Sequence, residues 1–366
     1  MKKFFHSEIS TKAWCIFVIA VTVAVIAGTA LLVYTVDPHY RYRLPTFYRT
    51  VYYEIYATAP RLIRDSKYDL LMLGSSMCRN FFLNDIDKTF NSTSLKLSAP
   101  GATTFDLKKF ADIAIESQRE NLKHIVYLFD VYALNKKQPN YLIFDYMYKK
   151  DHWDDYKYLF SRKTFSSMLY LEKRARRPKG KRKYQTDKNR MFSTEHEKTV
   201  YGPSGVIANM RSNLAAHHTP KPYNKQSHDT FRNELLQLID DNPQIKFTIV
   251  LPPYHIYSYC LSEYFNEADA LIKLKSAVLA ELIKRKNVTV HDFQHDPEIV
   301  CNSNFYNDIQ HFSSTLSKQL LAATVAETHR VKSSVDIAEN EKSLRSLIHN
   351  NMRQFYHDAG INYNRK

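Results

Sequence analysis

The sequence predicts an α/β fold: a doubly wound parallel sheet with a large basic insertion, preceded by one transmembrane helix. Three observations carry that expectation. Short apolar runs suited to buried strands alternate with stretches whose apolar residues recur at three- and four-residue spacing, the pattern of a parallel sheet flanked by helices. Residues 136–228, rich in Tyr, Lys and Arg, interrupt the alternation, and the run from Ala13 to Val36 contains no charged residue.

Taken in order, residues 1–12 form a basic tail with Lys2, Lys3 and Lys12, and residues 13–36 follow as the membrane anchor. At about 1.5 Å per residue such a helix crosses a hydrocarbon core of roughly 30 Å. A cleaved secretory signal is the competing reading, with Ala27-Gly28-Thr29-Ala30 offering small residues for cleavage. The apolar run is longer than the roughly 7–15 residues of a signal core, which favours the anchor. Either way the bulk of the chain lies outside the cytoplasm, attached to the cytoplasmic (inner) membrane by one span if the anchor is kept. Arg41, Arg43 and Arg49 nearly balance the basic tail, so a short tail left inside sets the orientation.

Residues 37–66 are aromatic and basic, with Tyr40, Tyr42, Phe47, Tyr48, Tyr52, Tyr53 and Tyr56. That suits a juxtamembrane segment resting near headgroups, or a helix packed on the domain. Residues 67–330 then carry the sheet, with strands expected over 68–73, 93–98, 123–130, 245–251 and 288–293 and helices over 104–119 and 263–286. The insertion 136–228 includes the run Lys173-Arg174-Ala175-Arg176-Arg177-Pro178-Lys179-Gly180-Lys181-Arg182-Lys183, either a solvated loop or a contact for anionic lipid or glycan. The tail 331–366 places Leu344, Leu347, Ile348, Met352 and Phe355 at helical spacing, an amphipathic helix expected to pack on the domain, with membrane or partner contact as the alternative.

A formal charge of +15 points to acidic partners. For an exported domain these are an anionic membrane surface or an acidic envelope glycan, and a nucleic-acid partner rests on charge alone. Of the four cysteines, Cys15 lies in the span and Cys78 near the first strand, leaving Cys260 and Cys301 as a candidate disulfide in an oxidising compartment. His217-His218, His152, and His291 with His295 make no metal-ligand pattern, and no cofactor or metal is expected.

The chemistry concentrates at two places. Leu71-Met72-Leu73-Gly74-Ser75-Ser76 runs a buried strand into a glycine, one of only 7 in 366 residues, and a serine at the strand-to-helix turn. Asp308-Ile309-Gln310-His311 sets a carboxylate and an imidazole three positions apart after the last expected strand. If both open on the carboxyl edge of one sheet, His311 takes the Ser76 proton, Asp308 fixes the imidazole tautomer, and Ser76 is an acyl-transfer nucleophile. Gly101, after the second strand, offers a bare amide to an oxyanion. His255 and Tyr254, after the fourth strand, are candidate pocket or loop residues.

In these residues the chain resembles the SGNH (GDSL-like) hydrolase superfamily. Gly74-Ser75-Ser76-Met77 is similar to the family's Gly-Asp-Ser-Leu with Ser75 in place of the aspartate, Gly101 matches the second-block glycine, and Asp308-Ile309-Gln310-His311 matches the closing Asp-x-x-His. The likeness covers about residues 65–330 without the insertion. It implies a flavodoxin-like sheet and a serine esterase or O-acyltransferase acting through Ser76, His311 and Asp308. The third block departs: where the family has Gly-x-Asn-Asp, this chain has Asp130 at the expected place and Asn135 nearby. An ionised Asp130 would repel an oxyanion, leaving Asn135 as the side chain to supply the missing donor. Membrane-anchored members that add or remove O-acetyl groups on envelope polysaccharides, such as alginate acetylation and D-alanine-transfer proteins, imply a glycan substrate and an acyl-donating membrane protein as partner. The rival reading is a protein of this fold that has lost catalysis and binds envelope polysaccharide or anionic lipid.

Overall fold

The computed structural model describes residues 10–46, 50–135, 138–175, 186–193, 195, 199–216 and 225–362. Lys2, Lys3, Phe47, Tyr48, Arg49, His217, His218 and most of the basic run after Ala175 lie outside them. Helix α1 (Thr11–Val36) is 26 residues long, free of charged residues after Lys12, and long and apolar enough to cross a membrane. Asp37 ends it in the left-handed conformation. Helix α2 (Ile55–Asp65) holds Pro60 in its interior, and the Tyr56 carbonyl, which a proline four residues later cannot reach with an N–H, accepts the Tyr148 hydroxyl at 2.8 Å.

The sheet follows: β1 (Leu70–Gly74), helix α3 (Leu83–Phe90), β2 (Ser94–Ser98), helix α4 (Thr104–Ser117) and β3 (His124–Leu128). The insertion contributes α5 (Asp145–Tyr148), α6 (Asp155–Leu159), α7 (Arg162–Ala175) and α8 (Pro203–Ala215). Helices α9 (Lys225–Thr230) and α10 (Gln237–Asp240), joined through a π-helical turn at Phe231–Leu236, lead into β4 (Lys246–Leu251). Then come α11 (Ile256–Tyr264), α12 (Ala268–Leu282), β5 (Val288–Asp292), α13 (Pro297–Val300), α14 (Ser314–Val325), β6 (Arg330–Val331) and α15 (Ser334–Ala359).

The six strands are ordered β2-β1-β3-β4-β5-β6, with every pair parallel except β5 with β6. Winding reverses between β1 and β3, so the carboxyl ends of these two strands flank the crevice where such sheets place their sites. Strands β1 and β2 are buried along their whole length, as expected of a parallel sheet covered on both faces.

Two expectations need correction, and one strand was not foreseen. The helix expected over 263–286 is broken, because Asn266 takes φ 59° and separates α11 from α12. The short antiparallel β6 has too few residues to show an alternating pattern. All four cysteines are free. The Cys260 thiol faces the Ile348 carbonyl of α15, whereas Cys301 accepts from Asn351 one turn further along that helix. The tail behaves as expected of a packed helix: α15 lies against α11 and α12 and buries Leu344, Ile348 and Phe355.

Candidate active site

Ser76 opens a 3₁₀ turn, Ser76–Cys78, directly after β1. Ser75 caps that turn: its hydroxyl accepts the Met77 N–H, and its carbonyl accepts the Cys78 N–H at 3.1 Å and the Ser98 hydroxyl at 3.1 Å. Gly74 is required by close approach. A Cβ there would meet Cys78 Cβ at 2.7 Å and Leu128 Cβ at 3.0 Å. Beneath the turn, buried Lys96 of β2 donates to the Arg79 carbonyl at 2.9 Å and the Phe81 carbonyl at 2.6 Å. Its charge is held without a carboxylate by fixing the main chain that follows the nucleophile.

The second half of the site is a loop closed by an antiparallel bridge between Tyr306 and Phe312. Asp308 Oδ1 accepts the Gln310 and His311 N–H groups, both at 2.7 Å, so the carboxylate is fixed by its own loop. Its Oδ2 lies 2.7 Å from His311 Nδ1, and His311 Nε2 lies 2.7 Å from Ser76 Oγ. Burial would raise the Asp308 carboxyl, but the His311 hydrogen bond and charge and the two N–H donors outweigh it and hold the group below its ordinary range. Asn80 ties the halves together by donating to the Phe312 carbonyl at 2.6 Å.

The insertion buttresses this loop. The Gly202 N–H at the start of α8 donates to the Tyr306 carbonyl at 2.9 Å, and a side chain at Gly205 would overlap the Asn307 carbonyl oxygen. His255 works from below, its N–H on the Ile309 carbonyl at 3.1 Å and its ring on Ser303, so it is a buried framework residue and does not line the pocket.

Two cavities open here. The first, about 450 Å³, holds Ser76, Asp308 and His311 together with Arg79, Asn80, Glu195 and Tyr201. The second, about 610 Å³, is walled by Tyr52, Tyr53, Tyr56, Tyr170 and Phe192, and Arg79 lines it as well. Arg79 is the only cationic side chain among the described residues of either wall, and its buried Nε finds no hydrogen-bond partner among them. Sequence reading passed over Arg79. The available signal was its place three residues after Ser76, on the same turn.

The three remaining site candidates do not reach the Ser76 cavity. Asn135 accepts the Ser227 hydroxyl through its side-chain oxygen. Asp130 accepts the Tyr132 N–H at 3.0 Å and sits against Tyr254, whose hydroxyl is pushed up by burial and by that carboxylate. Asp130 is not among the residues lining the Ser76 cavity. Gly101, at φ 68°, occupies the expected strand-end loop and its carbonyl accepts from Asn140, but it is not among the residues lining the cavity. Among the described residues no cluster of His, Cys, Asp and Glu could hold a metal ion. Comparison with family models, with curated proteins and with solved structures finds no match to this chain.

Proposed function

We propose that this chain is a membrane-anchored, extracytoplasmic SGNH-like serine acyl-ester hydrolase or O-acyltransferase that acts on a cell-envelope glycan. The observation that carries this reading is the unbroken relay Ser76–His311–Asp308, with 2.7 Å at each junction, between residues 235 positions apart in sequence. The order β2-β1-β3-β4-β5, that of a flavodoxin-like sheet, and the exit of both motifs on one edge add to it.

In this mechanism His311 Nε2 accepts the Ser76 proton as Oγ bonds to the acyl carbonyl carbon. The carbonyl π electrons move onto oxygen, and the resulting oxyanion meets the Ser76 N–H at the head of its turn and the Arg79 guanidinium, which takes the place of the family's asparagine. Collapse expels the alcohol, which leaves with the proton from His311. Water or a sugar hydroxyl then attacks the acyl-serine, with His311 again as base. The aromatic cavity beside Arg79 is the place for the glycan, since tyrosine rings and hydroxyls suit sugar faces and edges.

The test is Ser76→Ala in the full chain. Turnover of a small acetyl ester and labelling by a serine-directed fluorophosphonate should both vanish while thermal unfolding is unchanged. Labelling that persists in Ser76→Ala would overturn the nucleophile assignment. One observation favours a second reading, a binding protein without turnover: Asn135 is hydrogen-bonded to Ser227 and does not line the Ser76 cavity, and the Asn80 amide is committed to Phe312. That reading expects glycan binding with no labelling of the unmodified protein.

A further inference from the structure

Helix α1 is too long for the membrane alone. From Ala13, the first residue after Lys12, to Val36 it spans about 36 Å against a hydrocarbon core of roughly 30 Å, leaving about four residues, one turn, outside. The surplus lies at the carboxyl end, where the helix changes character: Thr29, Ala30, Val33 and Val36 turn one face toward the domain, and Val33 is fully buried against it. The elements packed on that end are α6 and α7.

The junction is rigid. Asp37 accepts the N–H groups of Arg41, Tyr42 and Arg43 at 2.7–2.9 Å and the Tyr158 hydroxyl of α6 at 2.8 Å. Arg41 returns across the same gap to Asp155 Oδ1, the Lys149 carbonyl and the Asp151 carbonyl. The Tyr34 ring of α1 contacts Tyr42, whose ring contacts His152. The stretch 149–160 is thus held beside the carboxyl-terminal root of α1.

On its outer side this stretch presents Trp153, Tyr156 and Phe160, at 89%, 59% and 46% exposure and at helical spacing, while Asp155 and Tyr158 face inward. Large aromatic side chains grouped in open water are unfavourable, whereas a bilayer interface accommodates their apolar bodies and polar edges together. We infer that Trp153, Tyr156 and Phe160 insert into the lipid interface beside α1, forming a second membrane contact that fixes the orientation of the domain on the bilayer.

The sequence contains 2 tryptophans, and the other, Trp14, is near the opposite end of α1. Full-length Trp14→Phe therefore carries Trp153 alone. In phosphatidylcholine vesicles its emission should shift to shorter wavelength and lose most of its intensity when the acyl chains are brominated near the headgroup, with weaker loss when they are brominated near the chain ends. Iodide in the aqueous phase should quench it little. Trp153→Phe, which keeps Trp14, verifies that the span is inserted in the same vesicles. A water-like emission from Trp153, quenched by iodide and indifferent to brominated lipid while Trp14 reports insertion, would overturn the inference. So would lipid quenching that appears only with anionic lipid, since that is adsorption by charge.

Discussion

Lys96 shows how one side chain can support the turn that carries the proposed nucleophile without itself lining the Ser76 cavity. Burial lowers its pKa to about 8 from 10.5, with nearby Cys78 opposing, yet it still donates to two main-chain carbonyls after the nucleophile. Lys96→Met removes both donors and should cost about 2 kcal/mol of stability, the scale of buried carbonyls left unsatisfied. The pH dependence has a definite sign. Because the folded pKa is depressed, between about pH 8 and 10.5 the unfolded chain holds more protons, so this residue makes stability rise with pH across that window. Urea unfolding at several pH values should show the rise in the parent protein and a smaller one in Lys96→Met. Asp308 acts on the chemistry itself. Asp308→Asn keeps the shape but lets the imidazole take the wrong tautomer, so ester turnover should fall on the order of a thousandfold or more. Since the Asp308 carboxyl is held below its ordinary range, it stays ionised beside the imidazole at neutral pH, and in the proposed mechanism Asp308→Asn should lower turnover throughout the neutral range.

Among the elements, α8 is the one whose role the sequence hid. Residues 136–228 read as an insertion because nothing in them has strand periodicity, and a charge-rich stretch is ordinarily solvated surface. Their part in the site depends on main-chain contacts across the chain, Gly202 to Tyr306 and Gly205 against Asn307, which leave no periodic trace. The glycine scarcity was the one available hint, since Gly202 and Gly205 sit together in a chain with only 7. Gly205→Ala must push the Asn307 carbonyl aside, carrying Asp308 and His311 with it. We expect kcat to drop roughly a hundredfold, as for a shift of about 1 Å in a catalytic group, with KM changed much less. Steady-state kinetics on a soluble acetyl ester would measure the split, and an unchanged kcat would show that the loop does not depend on α8.

At the scale of the whole molecule, the parallel strands were legible because strands buried on both faces must be continuous apolar runs, and the triad because each motif sits at a strand end where a doubly wound sheet places sites. The engagement of Asn135 with Ser227 and the stapling of the domain to α1 were not legible, because each depends on partners more than ninety positions away. That last feature has the widest consequence. Arg41 and Asp155 form an ion pair at 2.8 Å with side chains only 3% and 12% exposed, and Arg41 also satisfies two carbonyls of the 149–151 turn. Arg41→Ala leaves the largely buried Asp155 carboxylate with the His152 ring and the Tyr42 hydroxyl but without its cation, and should cost about 3 kcal/mol locally. The turn bearing Trp153 would be released from the root of α1, while Ser76, His311 and Asp308, held by β1, α8 and their own loop, would keep their geometry. Fluorophosphonate labelling of Arg41→Ala in vesicles should therefore persist, while quenching of Trp153 by brominated lipid should fall sharply in the Trp14→Phe background. Labelling lost together with quenching would mean that the junction and the catalytic centre unfold as one unit.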